Sequence, residues 1–316
     1  MGSFHAAKLS ASPGVELVGC FDIVAEKARK IAREHKCSVF NSLNDFVGKI
    51  EAVSIAVPTK NHLESSLPFL ENGIAVLLEK PIATDVESAE NIVRAAEDNN
   101  AILQIGHSER FSSVYRAVRD KIRNPRFIET HRLAPFKGRG HDVAVILDLM
   151  IHDIDLLLDL TGSEPSSIEA AGVGVITDTY DIVNARLTFP TGCVANITSS
   201  RISVKEMRKL RVFQKSGYIS MDLASAKLES YSLVERDSPQ AKKAGLFSKY
   251  NLPDDRVIVK DKIRVSRADN LQSEIDSFIE AVKGLHPPLV TGKDGLSALK
   301  VAARIEELCL NYQKSL

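Results

Sequence analysis

Four apolar runs, at residues 15–21, 52–57, 74–78 and 102–105, recur at short intervals with helix-patterned segments between them. Continuous apolar runs mark strands covered on both faces. Alternation of such strands with helices at this spacing implies one architecture, a doubly wound parallel sheet of Rossmann type. The intervening helices are expected at 3–11, 24–35 and 61–71, the last with Gly73 as its C-cap, and at 84–99, opening on the capping box Thr84-Asp-Val-Glu87. A short strand at 38–40 and a helical turn at 43–47 complete the pattern. Ligands of open α/β sheets sit beyond the carboxyl ends of the strands. Attention therefore falls on Asp22, on Val57-Pro58-Thr59 with His62, on Glu79-Lys80-Pro81, and on the stretch from Gly106-His107 to Arg110-Phe111.

The rhythm changes after residue 125. Strands are expected at 126–133, 167–176, 181–189, 193–202, 207–214 and 217–222, with Pro190-Thr-Gly192 as a hairpin turn. Strand-like runs at 224–233 and 256–265 flank a polar loop at 237–255. A strongly apolar helix spans 145–160 and stops at Gly162, and amphipathic helices cover 270–284 and 294–314. This implies a second, α+β domain built on a large, mostly antiparallel open sheet. At 316 residues the chain is too long for one small core. The domains are expected at 1–110, binding the cofactor, and 111–316, for substrate and oligomerisation.

Lysine plus arginine and aspartate plus glutamate both number 41, so the formal net charge is zero. That speaks against nucleic-acid and acidic-membrane partners. No run approaches the length of a membrane span, and the N-terminus lacks the apolar core of a signal peptide. Cys20, Cys37, Cys193 and Cys309 are scattered without a CxxC pair, as reduced cytoplasmic thiols would be.

A dinucleotide domain opens with a strand, a G-x-G-x-x-G turn and a helix. This sequence enters the motif part-way: Gly2 stands where the third glycine would, and the first strand and first two glycines are absent. Two accounts are open, a start upstream of Met1 or a real loss of the turn. The otherwise intact site favours the first. Asp22 lies at the expected distance onward, at a strand end. A carboxylate there accepts hydrogen bonds from the adenosine ribose and repels a 2′-phosphate, favouring NAD over NADP. The same residue also suits the N-cap of the following helix.

Asp148-Leu-Met-Ile-His152 places an acid and a base one helical turn apart. Asp148, His152, Asp155 and Asp159 form one stripe on an otherwise apolar helix. A polar stripe in a buried helix needs partners or a wet cavity. Oxidation of a secondary alcohol requires a base for the hydroxyl proton while hydride leaves. His152 titrates near neutrality, Asp148 can orient it, and Lys80 can stabilise the developing oxyanion; either Lys80 or His152 can carry the proton. A solvated strand-end lysine is the plain alternative. Glu79 is expected on the ribose side of the cofactor or against a neighbouring backbone, and Thr59 and His62 near the nicotinamide half. His107 and Arg110 are candidates for sugar hydroxyls or a diphosphate. Lys137, Arg139 and His141 offer a loop over such a phosphate. His35, His131 and His286 are expected to be structural. Asp148, His152 and Asp153 lack a third ligand in recognisable spacing, so no metal is expected.

Val57-Pro58-Thr59 with His62, Glu79-Lys80-Pro81 and Asp148-x-x-x-His152, in this order and spacing, resemble the Gfo/Idh/MocA oxidoreductases over almost the whole chain. The resemblance implies an N-terminal Rossmann domain and a C-terminal domain on a large open sheet. It also implies NAD(P)-dependent chemistry on sugar-like or cyclitol hydroxyls, Lys80 as the signature catalytic residue, and a homodimer or homotetramer formed through the sheet. Gly106-His-Ser-Glu-Arg110-Phe111 and the run from Asp148 to Asp155 are similar to a narrower branch, the UDP-N-acetylglucosamine 3-dehydrogenases. The expected activity is hydride transfer to NAD from the 3-hydroxyl of a UDP-N-acetyl amino sugar. The alternatives are an inositol or free-sugar dehydrogenase, or a sugar- or nucleotide-sensing protein without turnover.

Overall fold

The expected alternation is realised at the start of the chain. In a computed structural model, which describes residues 1–136, 144–245 and 248–314, the chain opens with α1 Gly2–Ala11, β1 Gly19–Cys20, α2 Ala25–His35, β2 Ser38–Val39, β3 Ala52–Ile55, α3 His62–Leu70, β4 Ala75–Glu79, α4 Val86–Asp98 and β5 Leu103–Gly106. Next come α5 Ser113–Arg116, β6 Phe127–Leu133, α6 Ile151–Thr161, β7 Ser167–Val173, β8 Ile182–Thr188, β9 Val194–Ser200, β10 Met207–Gln214, β11 Gly217–Asp222 and β12 Lys227–Glu235. The chain closes with α7 Pro239–Lys243, β13 Lys249–Asn251, β14 Arg256–Lys260, α8 Asn270–Val282 and α9 Gly292–Lys314. Two units result: unit 1 is Met1–Phe111 with Asp269–Leu299, and unit 2 is Ser112–Ala268 with Lys300–Leu316.

In unit 1, β3, β4 and β5 form a parallel sheet, and β1 pairs in parallel with β2 as a separate ribbon. In the Rossmann order the first strand lies between the second and the fourth. In that order β1 and β3 therefore flank the position of the first strand. The run at 15–21 keeps a ladder on one side only, and its strand shrinks to Gly19–Cys20. Val76, Leu77 and Leu78 of β4 are fully buried. Asp85, one residue after the expected Thr84, caps α4 by accepting from the Ser88 N–H at 2.8 Å. Ala75 and Leu77 pack against Ile275 and Phe278 of α8. That apolar face brings residues 269–299 back to unit 1, whereas the sequence assigned all of 111–316 to the second domain.

Unit 2 is built on a nine-stranded sheet in the order β13-β14-β12-β11-β10-β6-β9-β8-β7. All of its pairings are antiparallel except β6 with β9. Burial alternates residue by residue: Ile128, Ala185, Leu187, Ala195, Ile197, Leu210 and Val212 are buried, and α6 lies against β6 and β9. The alternate positions are more open and carry a ladder of rings, Phe127, Phe213, Tyr218 and Tyr231, with centroids 4.7–6.1 Å apart. Gly192, at φ +79°, makes the β8–β9 hairpin turn at the expected position. The expected loop at 237–255 instead contains α7 and β13. Ser238 caps α7 and Pro239 occupies its first position, a start signal visible in the sequence. No described helix is long and apolar enough to cross a membrane.

Candidate active site

The buried strand β4 delivers Glu79-Lys80-Pro81 to its carboxyl end, and the Lys80–Pro81 peptide is cis. The period-two alternation of a strand puts Leu77 and Glu79 on one face, the face covered by α1 and α8. There Glu79 Oε1 accepts from His5 Nε2 at 2.9 Å, and Oε2 accepts from the backbone N–H of Lys80 at 3.2 Å. Burial alone would raise the Glu79 pKa. The bonds and charges of His5 and Lys80 outweigh it and hold the carboxyl below the usual range. Of the two expectations for Glu79, a ribose or a neighbouring backbone, its side chain is engaged by the second, together with an imidazole.

His62 is buried at the start of α3. Its Nδ1 lies 2.9 Å from the Pro81 carbonyl oxygen and 3.3 Å from that of Ile82; its Nε2 lies 3.1 Å from that of Val57. The ring braces the chain leaving β3 against the turn after Lys80. Burial pushes its pKa below the ordinary value in spite of these acceptors. The structure thus brings Val57, His62 and Pro81 together. Val57 and Pro58 remain exposed and Thr59 half-buried. At the other ribbon Asp22 Oδ1 accepts from the Val24 N–H at 2.8 Å, which fixes the carboxylate at the strand end. Gly2 opens α1, and a Cβ there would meet nothing within 4 Å. His107 is fully buried, and Arg110, 6% exposed, lies 3.8 Å from Asp294. Both are held inside unit 1, and a carboxylate of that unit is among the partners of Arg110.

In unit 2 the expected single helix at 145–160 has two parts: Ile146–Met150 is one π turn, and α6 continues from Ile151. Single π turns recur at functional sites, and this one contains Asp148. Along the expected stripe, Asp148 is exposed, His152 half-buried and Asp155 buried. Asp159 accepts from the Tyr115 hydroxyl and from Arg119 Nε at 2.8 Å. Asp153 faces Arg132 of β6 in a two-pronged pair, Nη2 to Oδ1 at 2.9 Å and Nε to Oδ2 at 3.1 Å. The lower part of this helix is therefore anchored by ion pairs, and Asp148 and His152 occupy its more open end. Lys137, Arg139 and His141 fall outside the described residues. Among the described residues no group of three His, Cys, Asp or Glu side chains could hold a metal ion.

The profile of an oxidoreductase family with an NAD-binding Rossmann fold, GFO_IDH_MocA, matches residues 1–107, and that of the GFO/IDH/MocA C-terminal domain matches residues 114–220. The chain belongs to the Gfo/Idh/MocA oxidoreductase family. It is 34% identical to the UDP-N-acetylglucosamine 3-dehydrogenase of Acidithiobacillus ferrooxidans over 96% of this chain and 93% of that protein. The solved structure of that enzyme superposes with a TM-score of 0.86 at 32% identity, covering 97% of this chain and 93% of the other. An inositol 2-dehydrogenase of Rhizobium meliloti is 26% identical over 96% of this chain and 92% of its own length. As a Gfo/Idh/MocA protein the chain is an NAD-dependent oxidoreductase. The residues present suit that cofactor: a fixed carboxylate ends β1, open space surrounds the glycine that begins α1, and exposed Val57-Pro58 follow β3.

Three residues of the Lys80 environment have no counterpart among the sequence candidates. They are His5 on α1, Ser54 on β3 and Glu274 on α8. Glu274 is fully buried, and neither of its carboxyl oxygens has a hydrogen-bond partner. Burial first, and then the charge of Glu79, raise its pKa well above the usual range. The one sequence signal was a histidine and a glutamate on the apolar faces of otherwise ordinary helices.

Proposed function

We propose that this family member oxidises the 3-hydroxyl of a UDP-N-acetyl amino sugar. One observation carries the substrate class: similarity to the A. ferrooxidans UDP-N-acetylglucosamine 3-dehydrogenase extends over 96% of the chain at 34% identity, against 26% for the inositol dehydrogenase. NAD, when bound, accepts the hydride. Asp22 would hold the adenosine ribose, Gly2 would admit the diphosphate, and Val57, Pro58 and Thr59 would receive the nicotinamide half. His152 takes the hydroxyl proton and Asp148 stabilises the imidazolium that results. Lys80 donates to the substrate oxygen as negative charge develops on it. The protein works in the cytoplasm, in keeping with its four free cysteines. It acts as a homodimer or homotetramer joined through the aromatic ladder of the open sheet.

The test is reduction of NAD with UDP-N-acetylglucosamine, free N-acetylglucosamine, glucose and myo-inositol. The UDP-sugar should give the highest kcat/KM. A preference for inositol or a free sugar refutes the substrate assignment, and NAD binding without turnover of any of the four refutes the catalytic one. Lys80→Ala should lower kcat by about 100-fold or more while NAD still binds; full activity in that variant removes Lys80 from the chemistry.

A further inference from the structure

We infer that His5 is a positioning residue for Lys80, acting through Glu79; this rests on the reading of Lys80 as the group that holds the substrate oxygen. His5 is 2% exposed. Its Nδ1 lies 2.6 Å from the Ser54 hydroxyl on β3, and its Nε2 lies 2.9 Å from Glu79 Oε1 on β4. Nε2 donates its proton to Glu79, and Nδ1 shares a hydrogen bond with the Ser54 hydroxyl. The other oxygen of the same carboxylate accepts the backbone N–H of Lys80. The relay Ser54–His5–Glu79–Lys80 N–H joins α1, β3 and β4 at the residue where the chain leaves the sheet.

The surroundings of Glu79 are built for this carboxylate. Opposite it on β5 stands Gly106, where a Cβ would come within 3.2 Å of both Glu79 Cα and Oε2. On the α8 side Glu274 is fully buried with no partner for either oxygen, so it stays protonated and adds no competing charge. His5 donates to this carboxylate from α1. Without His5, burial drives the carboxylate to take up a proton, and a protonated carboxyl is a weaker acceptor for the Lys80 amide. The hold on the Lys80 backbone loosens although Lys80 itself is intact.

The experiment compares wild type with His5→Leu, His5→Gln and Ser54→Ala. A reactive group displaced by about 1 Å costs up to about 100-fold in rate. His5→Leu should therefore lower kcat by about 10- to 100-fold, with KM and the Kd for NAD within about twofold of wild type. A glutamine amide can donate in place of Nε2, so His5→Gln should recover most of the loss. Ser54→Ala, the milder change, should give a smaller fall of the same kind. Wild-type kcat in a folded His5→Leu overturns the inference. So does an equal loss in the Leu and Gln variants that follows a lower Tm, since that is a packing defect only. Hydrogen exchange of the Lys80 amide needs no substrate. It should quicken in His5→Leu and return in His5→Gln, and unchanged exchange overturns the relay even if none of the sugars is turned over.

Discussion

Replacing Glu274 by glutamine should make the protein more stable at neutral pH, and the size of the gain should grow with pH. Glu274 is fully buried, both its oxygens lack partners, and its pKa lies well above the ordinary 4.5. In the folded chain it keeps its proton; in the unfolded chain it loses that proton above about pH 4.5. Its folded pKa being raised, its stabilising effect is complete below the unfolded value and drains away as pH climbs toward the folded value. Each pH unit in that window costs about 1.4 kcal/mol. Glutamine has the same shape, does not titrate, and escapes the loss. Across that window the variant should therefore gain on wild type as pH rises, by up to about 1.4 kcal/mol per pH unit. Glu79 has the opposite linkage: its lowered pKa stabilises above the ordinary value and fades as pH falls. That contribution is complete across the window and cancels in the comparison. Urea unfolding of both proteins at pH 5, 6, 7 and 8 reads the difference. Parallel pH dependences, or a variant that loses ground as pH rises, would refute the assignment of a buried neutral carboxyl.

Other consequences are as direct. Asp22→Ala should weaken NAD binding by about 10- to 100-fold, the worth of hydrogen bonds to a charged group, while the thermal midpoint moves little; titration calorimetry measures it. His62→Ala removes a buried ring set among three carbonyl oxygens and should cost about 2–4 kcal/mol of stability, read by denaturant unfolding. Phe213→Glu puts a charge into the aromatic ladder, where Phe213 is 36% exposed. Sedimentation should then show a monomer, and an unchanged oligomer would exclude that face as the contact.

Much of the fold was legible because its strands carry their burial in the sequence. The run at 74–78 became Ala75–Glu79, and the hairpin at 190–192 sits where its Pro-Thr-Gly placed it. Discrepancies arise where a local pattern depends on a distant partner. The run at 15–21 has strand character, yet only Gly19 and Cys20 pair, with Ser38 and Val39 of β2. The π turn at Ile146–Met150 leaves the apolar periodicity nearly unchanged, so the sequence read one continuous helix. Lys80, Asp148 and His152 became site candidates through residue type and spacing. Asp153 and Asp159 did not reveal that Arg132 and Arg119 would claim them, since both partners lie on other elements. His5 and Glu79 are 74 residues apart, and no periodicity links a helix residue to a strand end at that distance.

The ordering of charges around β4 follows from the strand itself. Alternation sends Ala75, Leu77 and Glu79 to one face, and the first two bury that face against α8. Helices that cover two apolar side chains must also cover the third position, so the carboxylate of Glu79 is drawn into a dry environment with them. A charge there persists only with donors supplied from within, and His5 and the Lys80 amide supply two. The adjacent carboxyl, Glu274, has no such donor and stays neutral. Two glutamates in one cluster thus adopt opposite protonation states because a single imidazole serves one of them. Removing His5 should therefore let burial alone protonate Glu79, so that both acids are neutral. Because Glu274 already carries no charge, glutamine at 274 should not restore the kcat lost in His5→Leu. Restoration in the combined variant His5→Leu/Glu274→Gln would show that Glu274 is charged and that the two carboxylates repel.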